Sequence, residues 1–110
     1  MEKIAIPTNK EKVSAHFGHC PQFTIYNTKD TEVKSKEVIE NPGHKPGFLP
    51  KFLADKNVDL VLAGGMGTRA INLFENAGVE VVTGVKGEVD NCIDEYLAGN
   101  LATDDNACDH

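Results

Sequence analysis

The chain has 110 residues, 40% of them hydrophobic and 25% charged, with a formal net charge of −6. That length holds one hydrophobic core, the average composition argues against a disordered or fibrous chain, and the negative charge without a basic, aromatic-laced stripe argues against a nucleic-acid partner. No apolar run reaches the roughly 18–20 residues that cross a bilayer, and Met1-Glu2-Lys3-Ile4 leads into a strand pattern instead of a secretory leader, so a cytoplasmic protein without a membrane partner is expected.

Lys3 to Thr8 predicts a short first strand that ends at Pro7, whose ring removes a ladder donor. Phe23 to Asn27 and Val33 to Ile39 alternate and are rich in β-formers. With the polar stretch Thr28 to Thr31 between them they predict an antiparallel hairpin. Two prolines and two glycines between Asn41 and Gly47 predict a surface loop. Past that loop the pattern changes. A helix is expected from Phe48 to Lys56, with Pro50 in its first turn and Asn57 closing it in the left-handed conformation. Val58 to Ala63, almost unbroken and apolar, predicts a strand covered on both faces. Ile71, Phe74 and Ala77 repeat at helical spacing up to Gly78, and Val79 to Thr83 returns as a strand, which makes a right-handed βαβ crossover. From Glu88, the residues Val89, Cys92, Ile93, Tyr96 and Leu97 share a helical face that stops at Gly99. These elements predict one domain over 1–102, with a mixed five-stranded sheet in a three-layer α/β/α arrangement, and a frayed tail over 103–110.

The turn Gly64-Gly65-Met66-Gly67-Thr68-Arg69 leaves a buried strand and enters a helix, the place where open α/β sheets bind ligands. Glycines let backbone approach a ligand, free amides at a helix start favour an anion, and Arg69 adds a fork of donors. The same glycines also suit a plain tight turn. The spacing matches neither GxxxxGK[ST] nor GxGxxG, so nucleotide binding is a weak reading.

Between Ser14 and Pro21, His16, His19 and Cys20 gather two imidazoles and a thiol within five residues. These groups suit zinc, copper or iron, yet one loop does not close a four-ligand site alone. Cys108 and His110 repeat the ligand types in the tail, and His44 lies in the proline-glycine loop. Cys92, on the apolar face of the last helix, reads as a small buried hydrophobe. The three cysteines are odd in number and show no CxxC spacing, so free thiols are expected.

Taken together, His16-Phe17-Gly18, the run from Ala63 to Ala70, and Thr83-Gly84 resemble the dinitrogenase iron-molybdenum cofactor-binding family over nearly the whole chain, as a small standalone member. The resemblance implies a ribonuclease H-like α/β/α fold. It implies binding of an iron-molybdenum or related metal-sulfur cluster, or its precursor, for delivery or storage in cofactor biosynthesis. A cluster-assembly or acceptor protein is then the expected partner. His16, His19, Cys20 and the Cys108/His110 tail resemble the family's ligand-rich segments, with the glycine-rich turn and basic side chains as the alternative hold. Lys10, Lys12, Lys45 and Arg69 are expected at that edge, where a local field outweighs the total charge.

A carrier is therefore expected rather than an enzyme. A nuclease would need converging carboxylates on divalent metals, and Ile4-Ala5-Ile6-Pro7 carries none. A regulatory or protein-interaction module without metal is the second expectation. Nucleophilic catalysis by Cys20 with His16 or His19 lacks an identifiable orienting group.

Overall fold

The computed structural model describes residues 2–15, 17, 20–42 and 48–101. Among these residues, six strands and three helices follow in the order β1 (Glu2–Asn9), β2 (Lys12–Val13), β3 (Gln22–Lys29), β4 (Glu32–Glu40), α1 (Phe48–Asp55), β5 (Leu60–Leu62), α2 (Thr68–Asn76), β6 (Glu80–Val82) and α3 (Val89–Leu97). The sheet order is β4-β3-β1-β5-β6, with β2 added to the end of β1. β5 and β6 run parallel to β1, whereas β3 runs against both β1 and β4. This is the mixed α/β/α arrangement expected from the sequence, with six strands instead of five. The sixth, β2, is two residues long, too short for any periodicity to announce it.

Strand alternation sorts the core into two layers. Ala5, Phe23, Ile25, Val61 and Ala63 face one side, where Leu49 and Leu53 of α1 and Phe74 of α2 cover them. Ile4, Ile6, Tyr26, Leu60 and Leu62 face the other side, where Val89, Cys92 and Ile93 of α3 close the layer. Cys92 is thus a core residue, as its helical spacing indicated, and its thiol donates to the Lys86 carbonyl at 3.3 Å. Asn57 does adopt the left-handed conformation, φ 67°, and the Val58 N–H returns to the Leu53 carbonyl at 3.2 Å to close α1. Among the described residues no helix is long and apolar enough to cross a membrane.

Pro7 does not end β1, which continues to Asn9. Its carbonyl accepts from the Ser14 N–H at 2.8 Å, so its donor-less nitrogen faces the β5 side of the strand, where pairing with β5 stops at Ala5. The ring therefore removes no ladder bond, while Pro7 still sits opposite Phe23 of β3. The polar stretch before β4 also narrows to Asp30 and Thr31, because β3 runs on to Lys29.

A polar knot ties α3 across the sheet to β3 and β4. The Tyr26 hydroxyl donates to Asp90 Oδ1 at 2.6 Å, and Lys36 Nζ of β4 donates to the same oxygen at 2.9 Å. The Tyr26 bond, then the Lys36 bond, holds the Asp90 carboxyl below the usual aspartate range. Burial, then Asp90, pushes the Tyr26 phenol up. A carboxyl whose folded pKa lies below its unfolded one stabilises the fold above the unfolded value and loses that contribution as pH falls through the folded one. Asp90→Asn should therefore flatten the acid limb of a stability-against-pH curve below the ordinary aspartate range, read by chemical denaturation.

The β1–β2 turn offers a second test. Lys10 and Glu11 both hold positive φ, 52° and 71°, a two-residue turn in which asparagine followed by glycine is preferred. Lys10→Asn combined with Glu11→Gly should stabilise the fold by about 1 kcal/mol through relieved strain, read as a higher melting temperature. An unchanged or lower value would show that the turn is unstrained.

Candidate functional site

Parallel strands β1, β5 and β6 end at one edge of the sheet, and three connections meet there. The glycine-rich turn follows β5, the described residues Ser14, Ala15, Phe17 and Cys20 follow β2, and Thr83 to Gly87 follows β6. Backbone hydrogen bonds join them. The Phe17 N–H donates to the Gly65 carbonyl at 3.1 Å, the Gly84 N–H to the Gly64 carbonyl at 2.8 Å, and the Val13 N–H to the Gly87 carbonyl at 2.8 Å. The edge is thus one knitted surface.

Two of the glycines are required by this approach. A Cβ on Gly64 would lie 2.7 Å from the Ser14 carbonyl oxygen, and one on Gly65 would lie 2.7 Å from that of Ala15. Both neighbours are backbone and cannot rotate away. Gly67 differs, because a Cβ there meets nothing within 4 Å. It is the N-cap of α2, with extended backbone (φ −68°, ψ 153°) and no side-chain capping bond. Among the described residues no side chain caps the first-turn amides of α2, which lie beside exposed Thr68 and Arg69, and Arg69 has no carboxylate partner.

The loop's anchor is Phe17. Its ring packs edge-on to Phe74 of α2 at 5.4 Å and tilted against Phe23 of β3 at 5.7 Å. Met66 likewise turns into this core layer, so any ligand contact at that position falls to its backbone.

Cys20 is fully buried in the same layer and donates to the Phe17 carbonyl at 3.2 Å. Asn41 holds the segment from the other side, its Nδ2 donating to the Cys20 carbonyl at 2.7 Å. Burial pushes the Cys20 thiol up to about 11, against weaker opposing hydrogen bonds. In this arrangement the sulfur is a neutral thiol, and ligation would require it to leave the core and lose its proton. His16, His19, His44, Lys45, Cys108 and His110 lie outside the described residues. Among the described residues no three histidine, cysteine or carboxylate side chains gather as a metal site.

Thr83-Gly84, in the third connection, has a sequence signal of its own beyond the family resemblance: β6, like β5, runs straight into a glycine turn. A separate depression of about 430 Å³ lies at the other end of β1, lined in part by Glu2, Lys29, Asp30 and Tyr96. Its two carboxylates, Glu2 and Asp30, outnumber the single lysine, Lys29, and so suit an anion poorly.

Comparison with known proteins gives a consistent result. The family described as dinitrogenase iron-molybdenum cofactor matches residues 1–99. An uncharacterized protein of Methanocaldococcus jannaschii is 32% identical over 104 residues, covering 90% of this chain and 88% of its own. The crystal structure of PH0822 superposes with a TM-score of 0.90 at 36% identity, covering 94% of this chain and 96% of that one. The crystal structure of another M. jannaschii protein, provisionally described as a dinitrogenase, has a TM-score of 0.74 at 27% identity, covering 94% of this chain and 95% of that one.

Two tests follow from the geometry. Gly65→Ala should destabilise the fold by about 1–3 kcal/mol, since backbone must shift, whereas Gly67→Ala should cost under about 1 kcal/mol; equal melting temperatures would contradict the packing role. Burial both shields the Cys20 sulfur and disfavours its thiolate, so Cys20 should alkylate with iodoacetamide far more slowly in the native protein than after denaturation, read by peptide mass mapping.

Proposed function

Because the chain belongs to the dinitrogenase iron-molybdenum cofactor family, we propose that it binds an anionic metal-sulfur species, an iron-molybdenum cofactor or its precursor, and carries or stores it for a cluster-assembly or acceptor protein. The observation that carries this reading is the uncapped start of α2 beside Arg69, built on the same glycine turn that receives the Ser14 to Phe17 backbone.

A metal-sulfur anion presents sulfur and oxygen acceptors around a delocalised negative charge. Backbone amides at Thr68 and Arg69 are fixed donors for it, and the helix start supplies partial positive charge worth roughly 0.3–1 kcal/mol near the surface, up to about 2 kcal/mol when partly buried. The Arg69 guanidinium adds charge-assisted bonds of about 1.5–3 kcal/mol. Such contacts break without any bond to the metal breaking, which suits a cargo that must leave again. A thiolate or imidazole would hold it harder. On this reading Cys20 is a second, slower mode of attachment that requires the Phe17 segment to open, and His16 and His19 are its companions in sequence. Catalytic turnover has no part in this role.

The test is anaerobic incubation with iron and sulfide, with molybdate or with tetrathiomolybdate, followed by desalting and elemental analysis. Stoichiometric metal should be retained, and Arg69→Glu should lower retention at least about tenfold with an unchanged melting temperature. No retained metal under any of these conditions would overturn the reading.

A further inference from the structure

The long edge of the sheet carries a pattern that the ligand site does not use. β4 is nine residues long and exposed along nearly all of its length. It pairs with β3 on one side, and among the described residues no strand lies on the other. The Asn41 N–H donates to the Pro21 carbonyl at 3.0 Å, which points the Asn41 backbone groups toward β3. From Gln22↔Glu40 to Asn27↔Ser35 the register is regular, so Ile39, Glu37 and Ser35 also face β3. Lys36, Val38 and Glu40 then direct their N–H and C=O groups outward. The ladder shifts register just past Ser35, and Pro42 offers no N–H beyond Glu40, so these residues make up the usable edge.

In chain order they are a cation, an apolar residue and an anion. Laid antiparallel on itself about Val38, the set matches. Lys36 meets Glu40 at both ends, Val38 meets its counterpart, and each of the three pairs can exchange two N–H···O bonds. Other registers match less well: an axis at Lys36 sets lysine against lysine and Glu32 against Glu40, one at Glu37 sets that glutamate against itself, one at Ile39 sets Glu40 against Val38 and Lys36 against Pro42, and one at Glu40 sets that glutamate against itself and brings Pro42 into the ladder. Val38 is 50% exposed, unusual for a valine in a formed strand. Glu40 has no cation partner among the described residues, and Lys36, still 41% exposed beside Asp90, has room for a second carboxylate.

We infer that β4 is a self-pairing edge, to which a second copy of this chain adds antiparallel around a twofold axis through Val38. Lysines on an edge usually discourage strand addition. Here Lys36 repels a strand lacking an acid at that place and accepts the one that carries Glu40, so the guard becomes a selector. The interface is short and leaves the glycine-rich edge out of the contact, which makes the dimer weak and concentration-dependent.

Sedimentation velocity over micromolar to millimolar protein tests it. The wild type should pass from monomer to dimer with rising concentration. Lys36→Glu and Glu40→Lys should each weaken association at least about tenfold. An equimolar mixture of the two variants should recover wild-type association, since every substituted position then meets its opposite charge. Val38→Pro, which removes an outward N–H, should stay monomeric, with circular dichroism confirming that it is folded. A wild type that stays monomeric throughout, or a mixture no better than either variant alone, would overturn the inference.

Discussion

The glycine-rich turn and the segment from Ser14 to Phe17 touch where two side chains are missing. Gly64 and Gly65 place backbone so close to the Ser14 and Ala15 carbonyls that a single methyl group on either would collide. The Phe17 N–H then bonds the Gly65 carbonyl, and its ring enters the core between Phe23 and Phe74. This contact makes two distant pieces of chain into one edge. It also fixes the direction in which α2 leaves, because the same turn ends at the N-cap Gly67. The two glycines thus serve packing first, and whatever the edge binds meets a surface that they hold together.

That edge is divided between hard and soft chemistry. Among the described residues, amides without a side-chain cap and the Arg69 guanidinium lie outside. The one described thiol of the segment lies inside, protonated by its own burial. A protein that carries a metal-sulfur anion gains from such a division, since electrostatic holding allows release and a sequestered thiol does not compete for the metal until the segment moves. The net charge of −6 does not oppose this, because the field at the edge is set by the nearest donors.

Much of the architecture was legible from pattern alone. The apolar run into β5, the helical spacing of Ile71 and Phe74, and Asn57 as a stop each report a local constraint, and local constraints are what one sequence records best. The family resemblance rested on short motifs whose order agreed, and the match over 1–99 bears it out. What stayed hidden was long-range. Pro7 looked like an end because a missing donor is visible in sequence and the direction in which it points is not. β2 exists only because the turn at Lys10 and Glu11 lays two residues against β1. Cys20 read as a ligand type because chemistry is printed in the sequence and burial is not: its place beneath the edge depends on Asn41, 21 residues away. The knot of Tyr26, Lys36 and Asp90 joins three elements across 64 residues and has no local signature.

The central claim is that the turn and the Phe17 segment act as one ligand-facing unit. Amide chemical shifts of ¹⁵N-labelled protein, recorded anaerobically during titration with tetrathiomolybdate, test it most directly. The account expects the largest shifts at Gly65 to Arg69, with Ser14 to Cys20 moving along the same titration curve. Shifts that gather instead around Glu2, Asp30 and Tyr96 at the opposite end of β1, or that reach the turn without the Phe17 segment, would contradict it.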